Sequence, residues 1–499
     1  MTASARSRLG LWVAALGTTI VTATGMATAN AAESPPPVKQ SITQQPTATG
    51  SGGAVASDDV QATQAGIDVL RHGGNAVDAA VAVAAVLGVT DPFVAGIGGG
   101  GFLAYYDART RHVYTIDGRE TTPASATSSL FIDPSTGQPL SFPTAVTSGL
   151  SIGVPGNLMT WKQALDHWGT ISLAQALEPA EKTAEQGFPV TAEFREQDRE
   201  NAFRFDLRHM SQVQALHHYL EATRLAFADR NRYIGDPAYV DVPEQQLLSE
   251  SFGRQRACLI NPDHALTSPV APGDPYAGSA GCVPAGTAER GQTTDGTSTN
   301  HFVVADKWGD VVSYTSTIEE IGGSGIVVPG RGFLLNNELT DFDFAPLQAG
   351  VPDPNLPAGG KRPRSSMAPT IVLRDGRPFL AVGSPGGASI ITTVLQILLN
   401  RLDFGMTLPE AIAAPRASQR NSAVSQAEPA FIALPVTAGL EALGQQFAIS
   451  DTSPLNPSII ISPDIGAASG LEFLGHGRVL VAAEPVRRDG GSAAVVDPG

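Results

Sequence analysis

A chain of 499 residues with 42% apolar and 16% charged side chains holds ample material for a core, which excludes an intrinsically disordered protein. Its 32 Lys and Arg face 48 Asp and Glu, and the net charge of −16 repels phosphate backbones, so nucleic acid is not an expected partner. With 53 Gly, 37 Pro and 6% aromatic residues, the body reads as a loop-rich soluble domain, without an apolar run of membrane-spanning length beyond the N-terminus.

The first residues read as an address. Arg6 and Arg8 precede an apolar stretch from Leu9 to Met26, and Ala29-Asn30-Ala31 supplies the small residues that signal peptidase needs. Residues 1–31 are therefore expected to be a secretory signal and the mature protein secreted or extracytoplasmic. No Cys follows the apolar run, so lipid anchoring is not indicated. Residues 32–50, rich in Pro, Gln, Ser and Thr, read as a flexible leader. In an oxidising compartment Cys258 and Cys282, in a Gly/Pro-rich stretch, are candidates for a disulfide worth about 3 kcal/mol, with two free buried thiols as the alternative.

Along the body, Ala62, Ala65, Ile67, Val69 and Leu70 predict an amphipathic helix from Asp59 to Arg71, ended by Gly73-Gly74. Asn75 caps a second, more apolar helix through Leu87. The run from Gly96 to Gly101 matches G-x-G-x-x-G, but it leads into Phe102–Tyr106, a strand-like sequence, and a dinucleotide site would require a helix there. Its glycines are better read as allowing close backbone approach. Residues 101–118 read as a hairpin, and Ile171 to Gly187 as a helix pair interrupted at Pro179. A helix from Ser211 to about Arg232 carries Val213, Leu216, Leu220 and Phe227 on one face. His217 and Glu221 have metal-ligand spacing on that helix, but without a third ligand they read as a solvated face.

From Thr297 the pattern becomes strand, turn, strand: His301 to Ala305, Asp306 to Asp310, then Val311 to Thr317. If Ala305 pairs with Val311, Thr299 lies opposite Thr317, and two hydroxyls share one sheet face. A second hairpin, Thr370 to Leu373 and Phe379 to Gly383 around Arg374-Asp375-Gly376, leads through Ser384-Pro385-Gly386-Gly387 into an apolar helix from Ala388 to about Leu402. Strand, glycine turn and helix start in that order present backbone N–H groups to an anion.

The paired threonines, the Gly-Gly turn and a polar cluster at Asn336-Asn337-Glu338, Asp341 and Ser365-Ser366 converge on acyl transfer. At these residues the chain resembles the gamma-glutamyltransferase family, a branch of the N-terminal nucleophile hydrolases. The resemblance rests on Thr299-Asn300-His301-Phe302, on Gly332 to Asn337 with Asp341-Phe342, on Arg362 to Met367, and on Ser384-Pro385-Gly386-Gly387. Ala65 to Ala80 and Asp117-Gly118-Arg119-Glu120 extend it into the first half.

The resemblance implies an α+β fold, a four-layer αββα sandwich, and a precursor that cuts itself between Ser298 and Thr299. The chemistry suits such a role. A freed α-amino group has a reference pKa of about 7.7–8.0, so part of it is neutral near pH 7 and can deprotonate the hydroxyl of its own residue. By the same resemblance, Thr317 orients the nucleophile and Gly386 and Gly387 form the oxyanion hole. Arg119 grips the α-carboxylate of a glutamyl group with help from Ser365 and Ser366, Asp341 accepts its α-ammonium, and Glu338 and Glu319 stand beside it.

The implied reaction moves a γ-glutamyl group from glutathione or a related amide to water or to an amino acid or peptide amine, with no metal or organic cofactor. The expected organisation is 51–298 as a large-subunit region and 299–499 as a small-subunit region, the two fragments being each other's partners. The short Pro/Gly-rich stretch from Asp341 to Lys361 points to an open pocket.

The match breaks once. Between Gly187-Phe188-Pro189 and the helix at Ser211, roughly a hundred residues typical of the family are missing, the size of a small domain. Maturation is the step most exposed to that loss, because self-cleavage needs an accurately placed scissile bond. One alternative is accordingly a secreted remnant that is non-catalytic or never matures. A remoter one is a serine hydrolase using Ser151, since Gly149 to Gly153 fits G-x-S-x-G, although Val154-Pro155-Gly156 breaks the helix such an elbow requires.

Overall fold

The computed structural model describes residues 44–186, 211–277, 299–449, 464–488 and 490–498. The expected signal, most of the expected leader, Ser298 of the expected cut, the region of the family gap and Cys282 lie outside them. The leader expected to run through Gly50 ends sooner, because Thr47–Ser57 is already strand β1. Helix α1 (Val60–Arg71) follows, its first N–H groups bonded to the Asp59 carboxylate. Helix α2 (Ala76–Thr90) starts at a capping box in which Asn75 and Asp78 bond each other's backbone. Strands β2 (Gly100–Asp107) and β3 (His112–Asp117) form the predicted hairpin.

Helices α3 (Asn157–Trp168) and α4 (Leu173–Gln186) come next. The expected break at Pro179 does not occur: α4 is one helix with Pro179 inside it. Proline removes a single backbone bond, and Ala176 and Ala180 still bury their face in the core beside α2. Helix α5 (Gln212–Tyr233) forms where predicted, with Ser211 capping its N-terminus. The second half supplies β4 (Asn300–Asp306), β5 (Val311–Thr317), β6 (Thr370–Arg374), β7 (Arg377–Gly383), α6 (Ile390–Leu402) and α7 (Leu408–Ala413). It ends with β8 (Ser469–Gly475), β9 (Arg478–Ala482) and β10 (Ser492–Pro498).

The strands follow the order β3-β2-β5-β4-β1-β9-β8-β7-β6, with β10 also on β1. Strand β1 is where the sheet folds over. Residues 47–50 pair with β9, residues 53–56 pair with β4, and the register against β10 shifts between Ser51 and Ala54. Gly52 and Gly53 occupy that irregularity with φ of 79° and 131°, as a bulge that bends a strand requires.

Period-two alternation then sorts the layers. Phe302, Val304, Val312 and Tyr314 face outward into a core with α1 to α4, whereas Val303, Ala305 and Val311 face inward against Ala381, Leu471, Val479 and Val481 of the other half. Leu380, Val382 and Ala482 pack outward on Ile390, Val394 and Ile397 of α6 and Leu408 and Ile412 of α7. Helices, sheet, sheet and helices stack as the expected αββα sandwich within a mixed α+β chain. Each fully buried Val, Leu or Ile contributes about 1.5–3 kcal/mol.

The glycine run before β2 follows its close-packing reading. A Cβ at Gly99 would lie 1.7 Å from the Thr317 carbonyl oxygen, and one at Gly101 2.2 Å from that of Thr315. Only glycine lets β2 lie this tightly against the end of β5.

Candidate active site

Thr299 stands immediately before β4 and Thr317 ends β5. The ladder runs from Ala305 opposite Val311 to Asn300 opposite Ser316, so the next pair is Thr299 with Thr317. Both are buried, at 3% and 2% exposure. Thr317 Oγ1 accepts a hydrogen bond from the Glu319 N–H at 2.8 Å. Glu319 has a left-handed backbone, φ 87°, and its carboxylate accepts from Asn337 Nδ2 at 2.7 Å. The turn after β5 thus carries a carboxyl group back toward the threonine pair.

The charged wall of the site is built around Arg119, two residues past β3. Its Nη2 donates to Asp341 Oδ2 at 2.8 Å and pairs with Glu338, while Nη1 lies 3.9 Å from Glu120. Nε and Nη1 have no hydrogen-bond partner. A buried guanidinium with free donors in a fixed fork suits a planar carboxylate. Burial works against the Arg119 charge, yet Glu338, Asp341, Glu120 and Glu319 outweigh it and hold the group firmly protonated. Burial pushes Glu319 and Glu338 well above the usual carboxylate range, Asp341 reinforcing both and Arg119 opposing the rise at Glu338. Glu120 is pushed up to about 7, by burial against the opposing pull of Arg119. Four acids around one arginine make a site suited to a ligand bringing both a carboxylate and a positive charge.

Asn336 holds this wall in place. Its Oδ1 accepts from the N–H groups of Gly153 and Glu338, and its Nδ2 donates to the carbonyls of Gly98 and Gly153. The opposite wall comes from the segment before β6. Ser366 Oγ accepts from Arg230 Nη2 of α5 at 2.7 Å, and Ser365 Oγ accepts from the Met367 N–H. Between β7 and α6, Gly386 and Gly387 have φ of 129° and 53°, conformations that side chains disfavour.

Arg119, Thr299, Thr317, Glu319, Asp341, Ser365, Ser366 and Gly387 line one cavity together with Met367 and Ile390. Gly386 sits one residue outside that lining, and Glu338 reaches it through Arg119. A larger open groove shares Arg119, Ser365 and Met367 with this pocket. Asn355 folds the 341–361 stretch inward, donating to the Asp341 carbonyl and accepting from the Arg364 N–H, which draws the two walls together.

Two other sequence readings are corrected. His217 and Glu221 are buried, not solvated: His217 Nε2 bonds the Asn261 carbonyl, and Gln445 Nε2 donates to both His217 Nδ1 and Glu221. No group of three or more His, Cys, Asp or Glu among the described residues forms a metal-binding set. Ser151 is also buried, its Oγ 2.8 Å from the carbonyls of Val146 and Ser148, and an extended Ile152 follows it where a nucleophile elbow needs a helix. Cys258 is disulfide-bonded. Sequence reasoning missed Glu120 as a fourth acid, Asn336 as a brace and Arg230 as the support of Ser366.

The fold and this pocket define an N-terminal nucleophile hydrolase. The crystal structure of cephalosporin acylase from Bacillus halodurans shares the fold, with a TM-score of 0.73 at 21% identity, covering 92% of this chain and 98% of that one. The family model described as Gamma-glutamyltranspeptidase matches residues 62–212 and 199–495, and the chain belongs to that family. Its relatives include the Glutathione hydrolase proenzyme of Bacillus subtilis strain 168, 33% identical over 84% of this chain and 89% of the relative. The Escherichia coli K12 protein of the same name is 31% identical over 83% and 88%. The Bacillus alignment spans 536 positions although 84% of 499 residues fills far fewer, so it contains extensive gaps. The two family-matched stretches meet at 199–212, where the sequence pattern placed the missing segment.

Proposed function

We propose that the chain is an exported proenzyme that cuts itself between Ser298 and Thr299 and then hydrolyses or transfers the γ-glutamyl group of glutathione and related amides. The observation that carries this reading is the convergence of Thr299, Thr317, Gly387 and the Arg119–Asp341 pair on one cavity. Cleavage adds water across the peptide bond and frees the Thr299 α-amine. That amine takes the hydroxyl proton as Oγ attacks the γ-carbonyl carbon. Negative charge on the carbonyl oxygen meets backbone N–H groups at Gly386 and Gly387. The C–N bond breaks, the leaving amine takes the proton, and the glutamyl group remains as an ester on Thr299. Water then attacks the ester to release glutamate, or an amino acid or peptide amine attacks it to form a new amide; either way the threonine hydroxyl is restored.

Specificity follows from charge. Arg119, with Ser365 and Ser366, receives the α-carboxylate, and Asp341 with Glu338 and Glu319 receives the α-ammonium. The fragments on either side of the cut would stay together, because β1 of the N-terminal one pairs with β4, β9 and β10 of the C-terminal one.

Against a non-maturing remnant stands the meeting in one pocket of Arg119, Thr299, Thr317, Asp341, Ser365 and Ser366, which the sequence motifs single out separately. The test is release of free glutamate from glutathione by the purified protein and by Thr299→Ala. The expected result is steady release by the parent protein and none by an uncleaved variant. Equal activity in both would refute Thr299 as the nucleophile.

A further inference from the structure

Thr299 and Asn300, the last residue before β4 and the first within it, are held from behind by a charged cluster whose members do not line the cavity. Arg488 Nη1 donates to the Thr299 carbonyl at 2.9 Å. Asn300 Nδ2 donates to Asp58 Oδ2 at 3.1 Å and reaches Asp91 Oδ2 at 3.4 Å. The parts arrive from three places: Asp58 just past β1, Asp91 at the C-terminal cap of α2, and Arg488 in the segment ahead of β10.

The backbone at Arg488 has φ 51°, the left-handed region that residues with a Cβ seldom occupy. Such an outlier persists where surrounding contacts impose it, and it often marks a working position. Arg487, one residue earlier, is committed to Glu428 and Glu484, so the left-handed turn directs only the next guanidinium to Thr299.

Charge accounting supports a matched unit. Asp58 faces Arg488, Asp91, Glu484 and Asp59, and Asp91 faces Arg488 and Asp59. Glu484 is itself neutralised by Arg416 and Arg487. Burial pushes Asp58 up to about 8 and Asp91 to about 6, and Arg488 is the positive group that pulls both down.

We propose that Arg488, backed by Asp58, Asp91 and Asn300, is a positioning residue that holds the nucleophilic threonine by its carbonyl once the bond to Ser298 is gone. Cleavage turns Thr299 into a chain end, and chain ends fray unless they are tied. The tie must act on the side of the residue that remains covalently attached, which is where Arg488 binds. This inference rests on the proposed cleavage and acyl transfer.

The test uses the full-length protein after maturation, with kcat and KM measured for Arg488→Gln and Arg488→Lys on a γ-glutamyl amide. A displacement of the nucleophile by about 1 Å costs on the order of 100-fold in rate. Arg488→Gln is therefore expected to lower kcat about 10- to 100-fold with KM little changed, because the carboxylate and ammonium contacts are untouched. Arg488→Lys, which keeps a charged donor, is expected to recover much of the loss. Should Arg488→Gln fail to fold or mature, Asn300→Ala, which removes only the amide link to the two acids, is expected to show the same split.

A parental kcat in Arg488→Gln, a kcat and KM that change together, or a lysine variant no better than the glutamine one would overturn the positioning role while leaving the acyl-transfer reading intact. A parent protein that neither cleaves nor releases glutamate would overturn both.

Discussion

Arg119 and Asp341 meet at 2.8 Å in the wall of the cavity, although 222 positions separate them in the sequence. Each is the other's counter-charge, and a glutamyl group would engage both at once, its carboxylate on the arginine and its ammonium on the aspartate. Hydrogen bonds to charged groups contribute about 1.5–3 kcal/mol each. Arg119→Lys, which keeps the charge but loses the fork, should lower kcat/KM for a γ-glutamyl amide by about 10- to 100-fold. Steady-state kinetics on the matured variant checks this, and an unchanged KM would place the carboxylate elsewhere.

Asp341→Asn tests the other half of that relationship. The asparagine keeps the shape of the site but no longer offers a full negative charge to an ammonium. The ratio of kcat/KM for a γ-glutamyl amide over the matching glutaryl amide, which lacks the ammonium, should fall by about tenfold or more. Competition between the two amides reads the ratio directly. A ratio equal to that of the parent would remove Asp341 from ammonium recognition.

Glu120 gives a prediction about stability and pH. Its carboxyl is pushed up to about 7, first by burial, and its two oxygens have no hydrogen-bond partner. A carboxyl raised in the folded state binds more protons there than in the unfolded chain, so its contribution favours folding at low pH. That contribution falls as pH rises from the ordinary glutamate range through about 7. Glu120→Gln should therefore gain stability relative to the parent across that interval, with the difference levelling above it. Denaturant unfolding of ligand-free protein at several pH values measures the difference, and a gap that narrows with rising pH would contradict the assignment.

Gly386 tests the glycine turn. Its φ of 129° is unfavourable for any other residue, and an added Cβ would lie 2.7 Å from Ser389 Oγ. Gly386→Ala should tilt the N–H groups at the turn and lower kcat by about 10²–10³, the usual cost of one lost oxyanion donor. Single-turnover acylation by the cleaved variant isolates the step. Acylation at the parental rate would show that these N–H groups do not stabilise the oxyanion.

What the sequence disclosed, and what it hid, follows from the range of each signal. The hairpin that sets Thr299 opposite Thr317 is local and obeys period two, so counting residues was enough to predict its register. The cap at Asn75 and the helix starts at Asp59 and Ser211 are equally local and were legible. Arg119, Asp341 and the two serines were legible only through family resemblance, because no spacing links positions so far apart. Glu120 was hidden in plain view beside Arg119: its role depends on Gly100 and Gly153 closing around it, where a Cβ would press on its side chain. His217 and Glu221 looked solvated because a helix pattern cannot foresee that Asn261, Leu266 and Gln445 will cover that face. Arg488, Asp58 and Asp91 converge only because β1 joins both halves of the sheet.

The account depends most on the cut before Thr299, and the intact mass of the purified protein under denaturing conditions examines it directly. The expected spectrum contains a species whose mass equals Thr299–Gly499, together with a complementary N-terminal fragment ending at Ser298, and Thr299→Ala gives neither. A folded parent protein that shows one uncut polypeptide ending at Gly499 would contradict it.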